Sequence, residues 1–133
     1  MNNILISIHP KHVSNILNGI KKFEYRKKVA KKDINKIIIY STFPEKMIVA
    51  EATIDKILAD SPSNLWKKTK HGAGINKKFF DDYFKSSKLA YAYELKDVKI
   101  YKKPKKLEHF GISFAPQSFI YKPLMIYKDN VSI

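Results

Sequence analysis

The first part of the chain changes the period of its apolar residues several times. Residues 4–8 form a short β-branched run, which indicates a buried strand. After Pro10, apolar residues occupy the i, i+3, i+4 and i+7 positions of one helical face, and Gly19 suits the end of that helix. In residues 23–26 two aromatic residues alternate with two charged ones, so a strand would place both charges on one face. The pattern predicts a strand, a helix, a glycine turn and a second strand.

The middle of the chain predicts a hairpin followed by two helices. Residues 36–42 and 47–58 are apolar runs on either side of a turn that contains Pro44. Residues 61–84 have the caps and spacing of two helices, separated by the glycine-containing segment 72–74. Four aromatic residues are expected to form the apolar face of the second helix: Phe79, Phe80, Tyr83 and Phe84.

The last part of the chain predicts two more strands. Residues 88–101 alternate strongly between apolar and polar side chains, as a half-buried strand should. The buried face of this strand is expected to carry Leu89, Tyr91, Tyr93 and Leu95. Residues 102–106 predict a polar turn, 107–112 a short helical turn and 118–122 a final strand.

The resulting order of elements is β-α-β-β-β-α-α-β-β. Because helices and strands do not alternate regularly, this order favours a compact α+β barrel over a doubly wound sheet. A length of 133 residues without an internal repeat or linker predicts one domain, spanning residues 1–133.

The charge of the chain favours a polyanionic partner. Lysine and arginine number 26 against 12 acidic residues, a formal net charge of +14, which favours nucleic acid or an anionic membrane surface as partner. Lysine enrichment from an AT-rich genome is the alternative explanation. Arg26 is the only arginine, and lysine suits point contacts to phosphate better than bidentate reading of bases. Recognition of the shape or backbone of a nucleic acid is therefore expected over the reading of a duplex sequence.

Several classes of function are not expected from this composition. The chain has no cysteine, which excludes disulfides, thiolate metal sites and a cysteine nucleophile. Its four histidines lack the spacing of metal ligands, so we predict no metal and no cofactor. No apolar run reaches 18 residues and the N-terminus does not resemble a signal peptide, so we expect a cytoplasmic protein with no membrane contact.

The segment SIHPKHVSNILNGIKKFEYRKK resembles the N-terminal signature of the ASCH domain, a branch of the PUA-like superfamily. That signature is a helix ending in G-x-K-x-x-E-x-R, and Gly19, Lys21, Glu24 and Arg26 match it. The later segments SNLWKKTKHGAGINKKFFDDYF and APQSFIYK are also similar to ASCH proteins described as regulators of transcription. The resemblance covers nearly the whole chain.

The resemblance implies a PUA-like small β-barrel of five to six strands with flanking helices and a cleft beside the glycine turn. Related PUA, EVE and YTH modules bind RNA or modified bases, so it implies recognition of a single-stranded or modified nucleotide. RNA is the partner that the resemblance implies, with single-stranded DNA as a second possibility. In that geometry Lys21 and Arg26 would hold an anion, while Glu24 would accept a hydrogen bond from a base. The alternative is an ordinary ion pair between Glu24 and Arg26 on a strand face, worth less than about 1 kcal/mol.

The resemblance also leaves an enzymatic alternative open. One ASCH branch hydrolyses N4-acetylcytidine with a motif G-x-K-T-x-T-x-R, in which a lysine and a threonine are catalytic. Lys21 matches that motif, but Lys22 and Glu24 replace the threonines, and a carboxylate is a poor acyl acceptor. Other ASCH proteins are described as ribonucleases, for which Lys21 would be a base or oxyanion stabiliser, and Glu24, His12 or His71 would activate the attacking oxygen. A protein-interaction module is a third alternative.

Further candidate nucleic-acid contacts surround the motif. Trp66, next to Lys67, could stack on a base or pack on the barrel, and His71 could contact a phosphate or cap a loop. The remaining candidates are predicted to contact nucleic acid, with an ordinary structural or solvent-exposed role as the alternative for each: Lys27, Lys28, Ser41, Thr42, Gln117 and Ser118. The many other lysines are expected to attract phosphate collectively, so that affinity falls with salt.

Overall fold

A computed structural model describes residues 2–31 and 33–122 of the chain. Six strands and three helices lie in this part, in the order that the sequence predicts. The strands are β1 (Asn2–Ile8), β2 (Phe23–Arg26), β3 (Ile34–Ser41), β4 (Met47–Asp60), β5 (Ala90–Lys105) and β6 (Phe119–Lys122). The helices are α1 (Pro10–Leu17), α2 (Pro62–Thr69) and α3 (Lys77–Tyr83), and 3-10 turns occur at Lys70–Gly72 and Leu107–Phe110. None of the described helices is long and apolar enough to cross a membrane.

The six strands form one curled sheet in the order β2-β5-β4-β3-β1-β6. Strands β1 and β3 pair in parallel, and the other neighbours pair antiparallel. The β4–β5 ladder, the longest in the sheet, contains three register shifts, and such irregularities bend strands and increase their twist. The sheet is therefore a half-barrel, and β2 and β6 are its edges.

Both faces of the sheet are covered by apolar residues. On one face, α1 contributes Val13 and Ile16 to a cluster with β1, β3 and β5. On the other face, α2 and α3 contribute Leu65, Phe80 and Phe84 to a cluster with β2 and β5. The strand β2 thereby buries Phe23 and Tyr25 and turns Glu24 and Arg26 to the opposite face, as its alternating pattern predicts.

The prediction of one buried face on β5 is wrong. Ala90 and Ala92 are fully buried beneath α2 and α3, while Tyr93 and Leu95 are buried in the cluster with α1. Leu89 lies just before the strand and is 46% exposed. The alternation was misleading because this strand is covered on both faces, and alanine leaves the room that the helices above it occupy.

The predicted polar turn at residues 102–106 is also wrong, because β5 continues to Lys105 and pairs there with Ile48. Pro104 is compatible with a strand at this position because β2 pairs only with residues 91–94, which leaves that edge of β5 open. A third correction concerns the predicted aromatic face of the second helix, because Phe80 and Phe84 are buried but Phe79 is 49% exposed.

Candidate functional site

The turn between α1 and β2 is fixed by backbone hydrogen bonds to distant segments. Gly19 has a φ of +82°, in the left-handed region that glycine favours, and it reverses the chain after α1. The amide of Lys21 donates to the carbonyl of Asn15 at 2.9 Å, and the amide of Lys22 donates to the carbonyl of Gly72 at 2.8 Å. Leu95 on β5 donates to the carbonyl of Lys22 at 2.9 Å. The backbone that carries Lys21 is thus held from three sides.

The side chain of Lys21 lies almost entirely inside the protein. The residue is 3% exposed, and its Nζ donates to the carbonyl of Ala73 at 3.0 Å. The same Nζ lies 3.9 Å from Glu24 Oε1 and 4.8 Å from the centre of the Tyr25 ring. The segment 72–74 packs directly on the stem of this lysine, because a Cβ at Gly74 would lie 2.4 Å from Lys21 Cβ.

Glu24 and Arg26 form a buried, doubly hydrogen-bonded pair. Arg26 Nε and Nη2 donate to Glu24 Oε2 at 3.0 and 2.8 Å, and the two side chains are only 13% and 7% exposed. Arg26 Nη2 also donates to the carbonyl of Ser7 at 2.7 Å, and Nη1 donates to Ser118 Oγ at 3.4 Å. Because β2 is one edge of the sheet and Ser7 and Ser118 belong to the opposite edge region, Arg26 joins the two sides of the half-barrel.

Replacing Arg26 with lysine is expected to lower the free energy of unfolding by about 1–2 kcal/mol. Lysine keeps the positive charge beside Glu24, but it cannot bond Oε2 twice while also donating to the Ser7 carbonyl. Urea denaturation measures the loss. Ser118→Ala removes only the longest of the Arg26 contacts, at 3.4 Å, and serves as the control with an expected loss below about 0.5 kcal/mol. Equal unfolding midpoints for Arg26→Lys and the parent would contradict the role of Arg26 as a cross-barrel link.

Lys21 and Glu24 each retain hydrogen-bonding capacity that no described residue uses. An ammonium group has three N–H donors, and Lys21 Nζ makes one hydrogen bond, to Ala73. Glu24 Oε2 is occupied by Arg26, whereas Oε1 has only Lys21 Nζ nearby, at 3.9 Å. A free donor therefore stands beside a free acceptor.

This donor and acceptor line a cleft of about 330 Å³, at the lower end of the range for small-molecule sites. Arg26 and Gln117 line it as well. Six other residues complete the lining: His9, His12, Tyr25, Ile75, Phe79 and Tyr83. The cleft thus lies between α1, β2 and the segment that leads into α3.

Burial controls the protonation of the groups around the cleft. Burial lowers the pKa of Lys21, an effect that Glu24 opposes and Arg26 reinforces. Burial also lowers the pKa of His12, and the nearby charge of Lys21 lowers it further, so the imidazole is neutral at neutral pH. The pKa of Tyr25 is raised to about 12, chiefly by burial, and its hydroxyl donates to Thr69 Oγ1 at 2.7 Å. The cleft therefore combines the charged groups of Lys21, Glu24 and Arg26 with the neutral rings of His12 and Tyr25.

The titration of Lys21 provides a test of this arrangement. Burial places the pKa of Lys21 in the folded protein below its pKa in the unfolded protein, so protonated Lys21 opposes folding at neutral pH. This destabilisation disappears as the pH rises from the folded-state pKa to the unfolded-state pKa. We expect the Cε resonance of Lys21 in NMR spectra to titrate at lower pH in the folded than in the urea-unfolded protein. Glu24→Gln should lower the folded midpoint further, because it removes the attraction that opposes burial. An unchanged or raised midpoint in Glu24→Gln would contradict the coupling.

The comparisons with known proteins bear on both the family and the fold. A family model described as "Domain of unknown function (DUF365)" matches residues 7–117. The chain belongs to this family. The structure of this DUF365 chain is similar to that of ASCH from Zymomonas mobilis, with a TM-score of 0.88 and 23% identity over 98% of this chain and 96% of that one. The resemblance to ASCH domains and the predicted PUA-like barrel with flanking helices are thereby confirmed.

The curated relatives of the DUF365 chain are mostly longer proteins. It is 30% identical to ATP synthase subunit alpha of Ureaplasma parvum over 119 residues. The matched residues are 89% of this chain but 15% of that protein. It is 26% identical over 119 residues to large ribosomal subunit protein uL22 of the same species, again 89% of this chain and 38% of that protein. An ASCH domain-containing ribonuclease of Zymomonas mobilis is 28% identical over 94 residues, 70% of this chain and 64% of that protein. The chain therefore spans less than two thirds of each of these relatives.

Some of the sequence-predicted candidates lie at or beside the cleft of the DUF365 chain. Lys21, Glu24, Arg26 and Gln117 line it directly. Ser118 is in contact with Arg26, and the Nζ of Lys27 lies 4.9 Å from the ring centre of Tyr83 at the cleft wall. Lys28 is exposed and follows Lys27 beyond the end of β2.

The other predicted candidates do not line the cleft. Ser41 is buried and donates to Glu45 Oε1 at 3.0 Å, and the carbonyl of Thr42 accepts from the amide of Glu45 at 3.1 Å. Trp66 packs 5.0 Å from Phe80 in the cluster beneath α2 and α3. Lys67 is exposed on α2, and the exposed His71 lies edge-on to Phe23 at 5.5 Å. The packing of Trp66 corresponds to the structural alternative considered for it. The Ser41 hydroxyl bonds a side chain, and the contact of Thr42 is made by its backbone carbonyl.

The aromatic and apolar walls of the cleft were missed by sequence reasoning. Ile75, Phe79 and Tyr83 belong to the segment around α3, whose approach to α1 is a long-range contact that periodicity does not reveal. His9 caps α1, because its Nδ1 accepts from the amide of Lys11 at 3.2 Å, and its side chain also lines the cleft. The one available signal was the run of aromatic residues within 79–84, because a helix as short as α3 cannot bury all of them on one face.

Proposed function

We propose that this DUF365 domain binds RNA and holds one unpaired nucleotide in the cleft beside Lys21 and Glu24. The observation that carries the proposal is the free N–H of Lys21 next to the free Oε1 of Glu24, 3.9 Å apart on the cleft wall. Both side chains are almost fully buried, so water has little access to their unused hydrogen-bonding groups, and a hydrogen-bonding partner there is strongly favoured.

The pairing of one donor with one acceptor favours a nucleobase over a phosphate in the inner cleft. A base edge presents an amino or imino donor beside a carbonyl or ring-nitrogen acceptor. Such an edge would donate to Glu24 and accept from Lys21 at the same time. A phosphate group would be attracted by Lys21 but repelled by the Glu24 carboxylate. The base is therefore the better occupant, and the sugar and phosphate would lie towards the rim.

The charge around the cleft supports a polyanionic partner. Lys27 lies next to the cleft wall formed by Tyr83, and the whole chain carries a formal net charge of +14. Lysines at a rim attract phosphates without specifying bases. In this proposal the cleft selects the nucleotide and the surrounding lysines supply much of the affinity. The similarity to a ribonuclease of the ASCH type favours RNA over DNA as the polymer.

Cleavage of RNA is a second candidate function, supported by His12 and by the same relative. His12 lines the cleft with Lys21 and is neutral at neutral pH. A neutral imidazole can accept the proton of a ribose 2′-hydroxyl as that oxygen attacks the adjacent phosphorus and the 5′-oxygen leaves, with Lys21 stabilising the extra negative charge. Glu24 is a poorer base here because Arg26 occupies its Oε2.

Covalent hydrolysis of an acylated base is less well supported. The described residues that line the cleft include neither serine nor threonine, and Glu24 is bound by Arg26. A role in regulating transcription or translation and a cytoplasmic location remain predictions.

Incubation of the purified protein with total RNA at low and moderate salt tests the proposal. We expect retention of single-stranded RNA that weakens as salt rises, with one base enriched when the protected fragments are digested and analysed by mass spectrometry. Duplex DNA of equal length is the control for nonspecific charge. Intact RNA in the released fraction supports binding alone, and fragments ending in 2′,3′-cyclic phosphate support the second candidate. If neither retention nor fragments are found, both functions are wrong, and retention of single-stranded DNA equal to that of RNA would contradict the choice of polymer.

A further inference from the structure

A second hollow of about 610 Å³ opens directly beside the cleft. The two share His9, His12, Ile75 and Phe79 as common walls. From these walls the second hollow extends away from Glu24 and Arg26, towards Lys11 and Asn76. The cleft and the hollow therefore adjoin each other.

Phe79 is the main aromatic surface of this hollow. The ring belongs to α3, whose other phenylalanine, Phe80, is buried, while Phe79 itself is 49% exposed. Its only ring contact among the described residues is an edge contact with His12, at 5.3 Å between centres. A half-exposed aromatic ring in a concave surface suits a ligand, because ligand sites are lined mainly by apolar and aromatic side chains. The ring offers an uncovered face to a flat partner.

The polar groups around the hollow suit a partner that carries negative charge. Lys11 is exposed at its margin, and none of the described residues lining the hollow is acidic. The nearest carboxylates along α3, Asp81 and Asp82, are paired with Lys77 and Lys78 at 2.7 and 3.1 Å. An aromatic face with a lysine at its edge matches a nucleotide, whose base stacks and whose phosphate binds the cation.

We propose that the hollow is a second nucleotide subsite, in which the base next to the one held in the cleft stacks on Phe79 and its phosphate lies near Lys11. The inference rests on the proposed function of the cleft and deepens it, because it makes the ligand a single-stranded segment of at least two nucleotides. Stacking on an aromatic ring tolerates different bases. The second subsite would therefore add affinity without adding sequence preference, while the cleft supplies selection.

The test compares a long and a short probe in the Phe79→Ala variant. The long probe is a mixed-sequence RNA tetranucleotide with 2′-O-methyl groups, which prevent attack by the 2′-oxygen, and the short probes are the four nucleoside 3′-monophosphates. Because Phe79 also lines the cleft, the quantity to compare is the loss of affinity that the substitution causes for each probe. We expect Phe79→Ala to weaken binding of the tetranucleotide about 10-fold more than binding of the preferred monophosphate.

Two further variants make the result specific. Phe79→Leu keeps an apolar side chain without a stacking face, so it should lose most of the same affinity if stacking is the cause. Phe114→Ala removes a phenylalanine that is 78% exposed and lines neither the cleft nor the hollow, and should leave both affinities as in the parent.

The possible outcomes separate the subsite from the cleft. An equal loss for both probes in Phe79→Ala would make Phe79 a wall of the cleft only, and would overturn the second subsite while sparing the proposed function. Full retention of tetranucleotide affinity in Phe79→Leu would overturn stacking as its mechanism. If the parent protein binds neither probe, the proposed function and the subsite are both wrong.

Discussion

Replacing Lys21 with methionine is expected to weaken selective binding of RNA nucleotides about 100-fold, because a charged hydrogen bond to a buried ligand group is lost. Methionine retains the length of the lysine stem, which packs against the segment at Gly74. The change therefore removes the ammonium group and little else. Nucleotide affinity measured by calorimetry or fluorescence anisotropy gives the loss directly.

The stability of Lys21→Met should change little, and this separates binding from folding. Burial lowers the pKa of Lys21, so the folded protein holds the charge at some expense of stability. Substituting an apolar residue of similar volume for such a charge is often neutral or stabilising. We expect the free energy of unfolding to stay within about 1 kcal/mol of the parent, since Arg26 continues to pair with Glu24.

The matched control for this prediction is Lys22→Met. Lys22 is the next residue in the same turn and is exposed, so its replacement removes an equal charge without entering the cleft. It should lower RNA affinity only through the overall charge, in proportion to its share of the salt dependence. Equal affinities for Lys21→Met and Lys22→Met would show that the cleft does not select the nucleotide.

The local part of this site could be predicted from the sequence because it depends on short-range periodicity. Alternation in residues 23–26 predicts that Glu24 and Arg26 share a face, and Gly19 predicts the turn before them. The place of Lys21 beside them was implied by the resemblance to ASCH domains. Both predictions concern residues within a few positions of each other. The order of helices and strands follows from the same kind of pattern, and it agrees with the structure along the described chain.

The longer-range part could not be predicted, because it depends on which surfaces meet. Periodicity does not reveal that Arg26 reaches the carbonyl of Ser7 across the opening of the half-barrel. It also does not reveal that α3 faces α1, so Phe79 was assigned to the core although half of it is exposed in the cleft and the hollow. Trp66 illustrates the reverse case, since an isolated tryptophan beside lysines suggests a base platform, but its packing partner, Phe80, lies fourteen positions later in the chain.

The position of Lys21 depends on a glycine that lies more than fifty residues away. Gly74 has a φ of +66°, and a Cβ at this position would lie 2.4 Å from Lys21 Cβ and 2.8 Å from Lys21 Cα. The Cα of Lys21 belongs to a backbone that two hydrogen bonds hold in place. The amide of Lys21 donates to the carbonyl of Asn15, and the amide of Lys22 donates to the carbonyl of Gly72. A flexible side chain could move aside, but this backbone cannot. The absence of a side chain at Gly74 is therefore what allows Lys21 to donate to the neighbouring carbonyl of Ala73.

Gly74→Ala is accordingly expected to lower the free energy of unfolding by about 3–4 kcal/mol, the sum of a left-handed conformation and a steric overlap that relaxation only partly relieves. It should also weaken nucleotide binding, because the overlap displaces Lys21. Gly111→Ala is the matched control: its φ is +74°, but no atom lies within 4 Å of the added Cβ, so only the conformational term of about 1 kcal/mol applies. Urea denaturation of the two variants isolates the steric part as their difference. Equal losses for both would mean that the loop at Gly74 gives way easily, and that Lys21 is not positioned by it.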